Sequence, residues 1–178
     1  IKILAQQAAE AGVKRLIFLS SIKVNGENTD NFLRSKKKNK IIEAFTENDI
    51  PNPTDPYAIS KFKAEKIISD ISDKTGLEVV ILRLPIVYGF GAKGNLLRLM
   101  KLIRSGIPLP FGNINNKRSM LGVDNLVDLI LKCVEHQNAS GKTFLASDSK
   151  SISTTDLLYY IASAMGCPLR LFSFPTSI

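Results

Sequence analysis

The sequence predicts an α/β chain built on a parallel sheet, and three observations carry that prediction. Two short, continuous apolar runs, Arg15–Ser21 and Glu78–Leu84, fit strands buried on both faces. Each run follows a segment of helical period closed by a glycine, Gly12 in the first case and Gly76 in the second. The resulting order of helix, strand, helix, strand is that of an α/β domain entered partway through.

Taken in order, residues 1–11 read as the tail of an amphipathic helix, with Ile1, Leu4, Ala5, Ala8 and Ala9 on one stripe. The first strand ends in Ser20 and Ser21. In open parallel sheets ligands sit at the carboxyl ends of strands, so these serines stand where chemistry is done; plain strand-end capping is the alternative. Residues 23–54 are polar and irregular apart from a short helical turn at 40–45, and a loop of that length is usually functional or mobile. Asp55 is a good N-cap and Pro56 suits the first helical position. A helix therefore runs from Tyr57 to about Lys74, with Phe62, Ile67, Ile68 and Ile71 inward. Arg83 lies inside the second apolar strand and needs a partner or an anion.

Beyond it, 85–91 is turn-rich and sits at another strand's carboxyl end. Asn95–Arg104 is a helix stopped by Gly106, 108–112 is a rigid connection, and 115–119 is a polar turn. Asp124 caps a helix reaching about Glu135, and 142–147 is a short strand. Ser153 and Asp156 open a last helix with a capping-box pattern, which ends near Gly166; 169–174 is a final strand.

Composition narrows the classes. At 178 residues the chain is one domain, or one and a part, and a hydrophobic share of 44% suits a globular fold. No apolar run approaches a membrane span and no secretory signal is visible, so a cytoplasmic placement and no membrane partner are expected. The first residue is not Met, and a fragment or processed chain is expected. Cys133 and Cys167 lack metal-like spacing and read as free thiols in a reducing compartment. With His136 as the sole histidine, a His-based metal site or a Ser-His-Asp triad is disfavoured; no metal is expected, and His136 reads as a surface residue. The net charge of +8 is compatible with nucleic acid or an acidic substrate, but much of it sits in the cluster at 34–40. That cluster has no interleaved aromatics for base stacking, so it reads as a solvated loop and no nucleic-acid partner is expected.

The chemistry concentrates at the start of the second helix. Tyr57 falls in the first turn and Lys61 one turn later on the same face. A phenol is a poor base at neutral pH. A cation one turn away and the positive end of a helix dipole both favour phenolate, so such a tyrosine can shuttle a proton to or from a sugar or alcohol hydroxyl. Lysine is abundant here, so the Tyr-Lys spacing alone is weak and draws its worth from its neighbours.

Those neighbours are specific. The chain reads Phe18-Leu19-Ser20-Ser21-Ile22-Lys23-Val24-Asn25-Gly26, then Asp55-Pro56-Tyr57-Ala58-Ile59-Ser60-Lys61, then Leu82-Arg83-Leu84-Pro85-Ile86-Val87-Tyr88-Gly89. Together with Arg118-Ser119-Met120-Leu121-Gly122-Val123-Asp124, this order resembles the extended short-chain dehydrogenase/reductase family, in its nucleotide-sugar epimerase/dehydratase branch, like the UDP-glucose 4-epimerases. The resemblance covers nearly the whole chain. It implies a partial Rossmann-like parallel sheet, later strands only, with a small C-terminal substrate-binding α/β portion. Residues 1–88 would be the second part of the NAD-binding domain. Residues 89–178 would be mainly nucleotide-sugar-binding, with the helix at 124–136 packing back on the first part.

The resemblance also implies roles. Ser21 hydrogen-bonds the reacting sugar oxygen, Tyr57 is the acid/base, and Lys61 holds the nicotinamide ribose. Ser20, Leu84, Pro85 and Val87 join Tyr57 and Lys61 beside the cofactor, NAD or NADP in the intact enzyme. Asn95 meets the substrate diphosphate at its helix start, Arg118 binds the diphosphate, and Phe111 packs near the uracil. For Phe111 the alternative is core packing, and for Arg118 a solvated turn. Asn25, where relatives often carry Tyr, reads as a neutral departure.

The family's Gly-rich pyrophosphate loop is absent from the sequence. Gly89-Phe90-Gly91-Ala92-Lys93-Gly94 matches its spacing, but it ends a late strand and lacks an acidic partner, so it is rejected as the cofactor fingerprint. An N-terminally truncated chain, inactive alone, is expected. The intact parent would be an NAD(P)-dependent epimerase or 4-keto-reductase acting on a UDP-linked sugar. A dehydratase is disfavoured, because Ile22 and Lys23 follow Ser21 where that subgroup usually carries an acid pair. The rival reading is a non-catalytic binding or scaffold member of the same fold. The family habit of dimerising through two helices per subunit implies a homodimer through 1–11 and 57–75.

Overall fold

The computed structural model describes residues 1–29, 44–91 and 94–173. The basic cluster at 34–40 lies outside the described residues, as does most of the turn expected at 40–45. The chain divides into two compact units.

The first unit comprises Ile1–Pro85 and Leu126–Ala146. Its sheet holds strands β1 (Arg15–Ser21), β2 (Glu78–Leu84) and β5 (Thr143–Leu145), in the order β1-β2-β5 and parallel throughout. Register pairs Ser20 with Arg83 and Ser21 with Leu84, so both strands end together. Parallel strands need long crossovers, and helix α2 (Pro56–Thr75) serves as the one from β1 to β2. Gly76, in the left-handed conformation at φ 75°, ends α2 and turns the chain into β2. Helix α1 (Lys2–Glu10) packs on α2. The core of this face joins Ala5 of α1, Ile68 and Ile71 of α2, and Leu77, Val79 and Ile81. On β2 the alternate residues Val80 and Leu82 are fully buried as well, which makes β2 the strand covered on both faces.

β1 is less enclosed than its sequence suggests. Among the described strands it lies at the edge of the sheet; Leu16–Phe18 are half-buried and Leu19 is exposed. The α1 stripe is also only partly used: Ala5 is buried while Ile1 and Leu4 are exposed. On α2, Ile68 and Ile71 are buried, Phe62 and Ile67 are half-buried, and Glu65 takes an inward place that the apolar pattern did not offer.

Helix α4 spans Val123–Glu135, beginning a residue earlier than expected, so Asp124 sits in its first turn rather than at its cap. Arg15 ties the end of this helix to the sheet. Its Nη1 donates to the carbonyls of Cys133, Val134 and His136 at 2.6, 2.9 and 2.9 Å, and its Nε donates to Glu78 at 2.7 Å. These bonds satisfy carbonyls that a helix end leaves without partners. Both cysteines are free; Cys133 is buried and Cys167 half-buried. His136 is exposed, and its Nδ1 accepts from the Asn138 amide.

The second unit comprises Ile86–Asn125 and Ser147–Ile178. Strand β3 (Ile86–Tyr88) pairs in parallel with β4 (Met120–Gly122), so part of the turn-rich 85–91 segment is extended and joins a ladder that local pattern does not announce. Helices α3 (Asn95–Arg104) and α5 (Thr154–Met165) pack around Ile103, Leu109, Leu158 and Ala162. The reciprocal capping box at α5 is present, Ser153 bonding the Asp156 amide and Asp156 the Ser153 amide, and Gly166 closes the helix at φ 61°. The final strand expected over 169–174 is reduced to a single bridge, Leu109 to Leu171; Phe174 lies outside the described residues. Asp148 organises the β3–β4 end. It accepts from Tyr88 Oη at 2.8 Å, from the Gly122 amide at 3.1 Å and from Asn125 at 2.7 Å.

Candidate active site

The start of α2 is fixed twice. Asp55 Oδ1 accepts the Ala58 amide at 2.7 Å, and Lys23 Nζ reaches Asp55 Oδ2 at 2.6 Å. The Lys23 ammonium, and next the Ala58 amide, hold the Asp55 carboxyl down at about 2. The same contact raises Lys23 above its ordinary value. Tyr57 follows in the first turn and is 55% exposed, open to a ligand. Lys61, one turn on, crosses back to the strand: its Nζ donates to the Leu19 carbonyl at 2.8 Å. The same ammonium lies 5.0 Å from the Phe18 ring centre and 5.9 Å from that of Tyr57. Contacts of this length favour a cation over a ring face. The structure thus brings Lys61 of α2 against Phe18 and Leu19 of β1, with the Tyr57 ring beside the same ammonium.

Ser21 closes β1. Its Oγ accepts the Lys23 amide at 3.3 Å and caps the short 3-10 turn Ile22–Val24, so the capping role is real. Ser20 faces a different environment. Its hydroxyl is buried and donates to Glu65 Oε1 at 2.5 Å. Glu65 also takes Arg83 Nε at 3.1 Å and Arg83 Nη2 at 2.7 Å, and Arg83 Nη1 reaches Asn25 Oδ1 at 3.0 Å. The partner that Arg83 required is therefore Glu65, a residue not singled out in the sequence. Its signal was the intrastrand arginine itself. Asn25, read as a neutral departure, is fully buried and belongs to this network; its amide also bonds the Thr46 carbonyl at 3.0 Å. Among the described residues, no buried side-chain nitrogen or oxygen lacks a partner.

Leu84 is buried opposite Ser21, and Pro85 follows it. The other expected residues belong to the second unit. Val87 is half-buried within β3. Asn95 is exposed at the first position of α3, whose cap is Gly94. Phe111 packs against the Ile103–Leu158 core, and its carbonyl accepts from Thr155 at 2.7 Å. Arg118 is exposed and joins an antiparallel bridge with Ile152. Gly89 has a packing reason to be glycine: φ is +143°, and a Cβ there would overlap Val123 Cγ1. Its missing side chain leaves room for valine rather than for a phosphate. The residues at hand suit the nicotinamide end of a dinucleotide, through Tyr57 and Lys61, better than its pyrophosphate end.

The parallel α/β unit thus carries a serine at one strand end and a Tyr-Lys pair at the opening of the next helix. The chain belongs to the NAD-dependent epimerase/dehydratase family, whose model matches residues 2–146. It is similar to a UDP-glucose 4-epimerase of Vibrio cholerae, at 45% identity over 166 residues, covering 93% of this chain and 48% of that protein. It is also 26% identical over 166 residues to the N-acetyl-alpha-D-glucosaminyl-diphospho-ditrans,octacis-undecaprenol 4-epimerase of Escherichia coli O157:H7, covering 92% of this chain and 46% of that one. The chain spans about half the length of these curated relatives. Among solved structures, the UDP-glucuronic acid 4-epimerase from Bacillus cereus, in complex with UDP-glucuronic acid and NAD, matches with a TM-score of 0.79 at 20% identity, over 97% of this chain and 52% of that one. The UDP-glucose 4-epimerase from Thermotoga maritima, with UDP-glucose, gives 0.74 at 22% identity, over 98% and 55%. These structural likenesses show the Rossmann-like fold.

Proposed function

We propose that these residues carry the reacting groups of an NAD-dependent epimerase acting on a UDP-linked sugar. The observation that carries the reading is the Tyr57–Lys61 pair, tied through the Leu19 carbonyl to the strand end that bears Ser21. The likeness to the Vibrio cholerae enzyme supports epimerase over 4-keto-reductase. Bound NAD would supply a hydride acceptor and donor. Tyr57 takes the proton of a sugar hydroxyl as the carbon bearing it gives up hydride, and later returns the proton to the keto oxygen. Ser21 orients that oxygen by a hydrogen bond. Lys61 holds the nicotinamide ribose, with Leu84 and Pro85 beside the ring; Ser20, whose buried hydroxyl is spent on Glu65, supports the strand end from behind rather than meeting the cofactor.

Recognition of the nucleotide falls to Asn95, Phe111 and Arg118. An exposed guanidinium such as Arg118 suits a diphosphate, and Phe111 is only half-buried by its core contacts. The 178 residues alone are expected to be inactive, with residues outside this sequence cradling the pyrophosphate. Self-association through the helices at 1–11 and 57–75 is supported by the exposed Ile3 and Leu4 on α1, Ile1 at its cap and Ile59 on α2; sedimentation of the intact protein tests it.

The decisive experiment is Tyr57→Phe in the intact enzyme, assayed for interconversion of UDP-glucose and UDP-galactose. Loss of a positioned acid/base costs about 10²- to 10⁴-fold in kcat, with UDP-sugar affinity retained. A variant within about twofold of wild type would refute the proposal.

A further inference from the structure

Glu65 is a buried acid on α2, 4% exposed, and the proposed chemistry does not use it. It lies one turn beyond Lys61 and two beyond Tyr57. Its Oε1 accepts from Ser20 Oγ and Arg83 Nε, and its Oε2 from Arg83 Nη2. Arg83, 6% exposed, continues to Asn25, and Asn25 to the Thr46 carbonyl. The path crosses α2, β1, β2, the turn after β1 and the segment ahead of α2. Burying an ion pair is a poor way to gain stability, because apolar residues of equal volume do as well or better. Charge-assisted, two-pronged hydrogen bonds do fix orientation, and a fully satisfied buried network makes its surroundings rigid. Successive side chains of a strand point to opposite faces, so anchoring Ser20 sets the direction of Ser21.

We infer that the Glu65–Arg83 pair is a positioning device, in which Glu65 holds the Ser20 end of β1 at a fixed level on α2 and so keeps the Ser21 hydroxyl in register with Tyr57 and Lys61. The inference rests on the proposed reading of those three residues as the reacting groups. Glu65 and Arg83 touch no reacting atom in this account; they act through Ser20 and the strand.

Two variants of the intact enzyme test it. Glu65→Gln keeps the shape and removes the charge; kcat is expected to fall roughly 10- to 100-fold with KM for the UDP-sugar within about twofold, the scale of an ångström-sized misplacement. That variant also loses stability, so a second one separates the two effects. The double variant E65M/R83M fills the space without buried charge and is expected to melt near wild type, while kcat stays down by the same factor. In both, the Lys23 amide, which donates to Ser21 Oγ, exchanges with deuterium faster than in wild type. Recovery of kcat to within about twofold in E65M/R83M, or unchanged Lys23 exchange, overturns the inference. Tyr57→Phe is run alongside. If it retains full activity, the reading of the reacting groups fails; if it is inactive while E65M/R83M is fully active, the positioning role alone is removed.

Discussion

Gly89 offers a sharp test of packing against ligand binding, because it opens the one segment whose glycine spacing imitates a dinucleotide loop. In Gly89→Ala the new Cβ would overlap Val123 Cγ1 and lie 3.0 Å from Val123 Cβ, on a backbone at φ +143°. The backbone conformation costs about 1–3 kcal/mol for a residue with a side chain. The overlap adds about 1–3 kcal/mol if the start of α4 is to keep its place. The expected loss is therefore about 2–6 kcal/mol. Val123→Ala alone removes two half-buried methyl groups, for about 1 kcal/mol. In the double variant the Cγ1 overlap is gone but the 3.0 Å contact and the backbone strain remain. The double variant should be more stable than the sum of the single effects by about 1–2 kcal/mol. Urea unfolding of the three variants, followed by circular dichroism, measures this. Additivity within about 0.5 kcal/mol would refute the packing argument. Full stability of Gly89→Ala with lost NAD affinity would return the segment to a role in phosphate binding.

Two further outcomes follow from the electrostatics. Asp55 is held below its ordinary range, so its contribution to the start of α2 is present above about 3.8 and is lost as pH falls through about 2. Protection of the Ala58 amide against exchange, measured by NMR, should fall over that window, and in Asp55→Ala it should be low at every pH. Tyr88 titrates above the ordinary phenol because it donates to Asp148, with burial adding to the rise. Its contribution is therefore present below about 10 and is lost as pH rises through the raised value. Asp148→Asn should move the Tyr88 titration down, read as the difference in phenolate absorbance between variant and wild type; no movement would remove Asp148 as the cause.

The elements legible in the sequence were those that local rules fix. Glu78–Leu84 is uninterrupted, and its bounds coincide with β2. Asp55-Pro56 and Gly76 bracket α2, and Ser153 with Asp156 marks α5 through reciprocal caps. What escaped depended on partners distant in the chain. Ile86–Tyr88 and Met120–Gly122 are each too short to announce a strand and become one by finding the other. Leu169 onward looked like a strand and found only one bridge. Glu65 was hidden because an acid inside a helix ordinarily faces water, and only the arginine of the next element reveals its place. Asn25 was hidden for a similar reason: a polar residue after a strand reads as turn, whereas here it completes the hydrogen bonding of a buried guanidinium. At the site, the Tyr57–Lys61 spacing was visible, but the hold of Lys61 on the Leu19 carbonyl was not.

The first unit is assembled from two separated stretches of chain, Ile1–Pro85 and Leu126–Ala146, with the second unit's Ile86–Asn125 between them. During synthesis β1, α2 and β2 leave the ribosome together and can pair at once. The far edge of β2 stays open until Thr143–Leu145 has been made and Ile81 has met Thr143. Closing a loop of that size costs chain entropy before any contact repays it. An open, apolar strand edge is also a template for pairing with another chain. The far edge of β2 is therefore open to mispairing while the intervening segment is being made, and it is covered when β5 docks and Arg15 captures the end of α4.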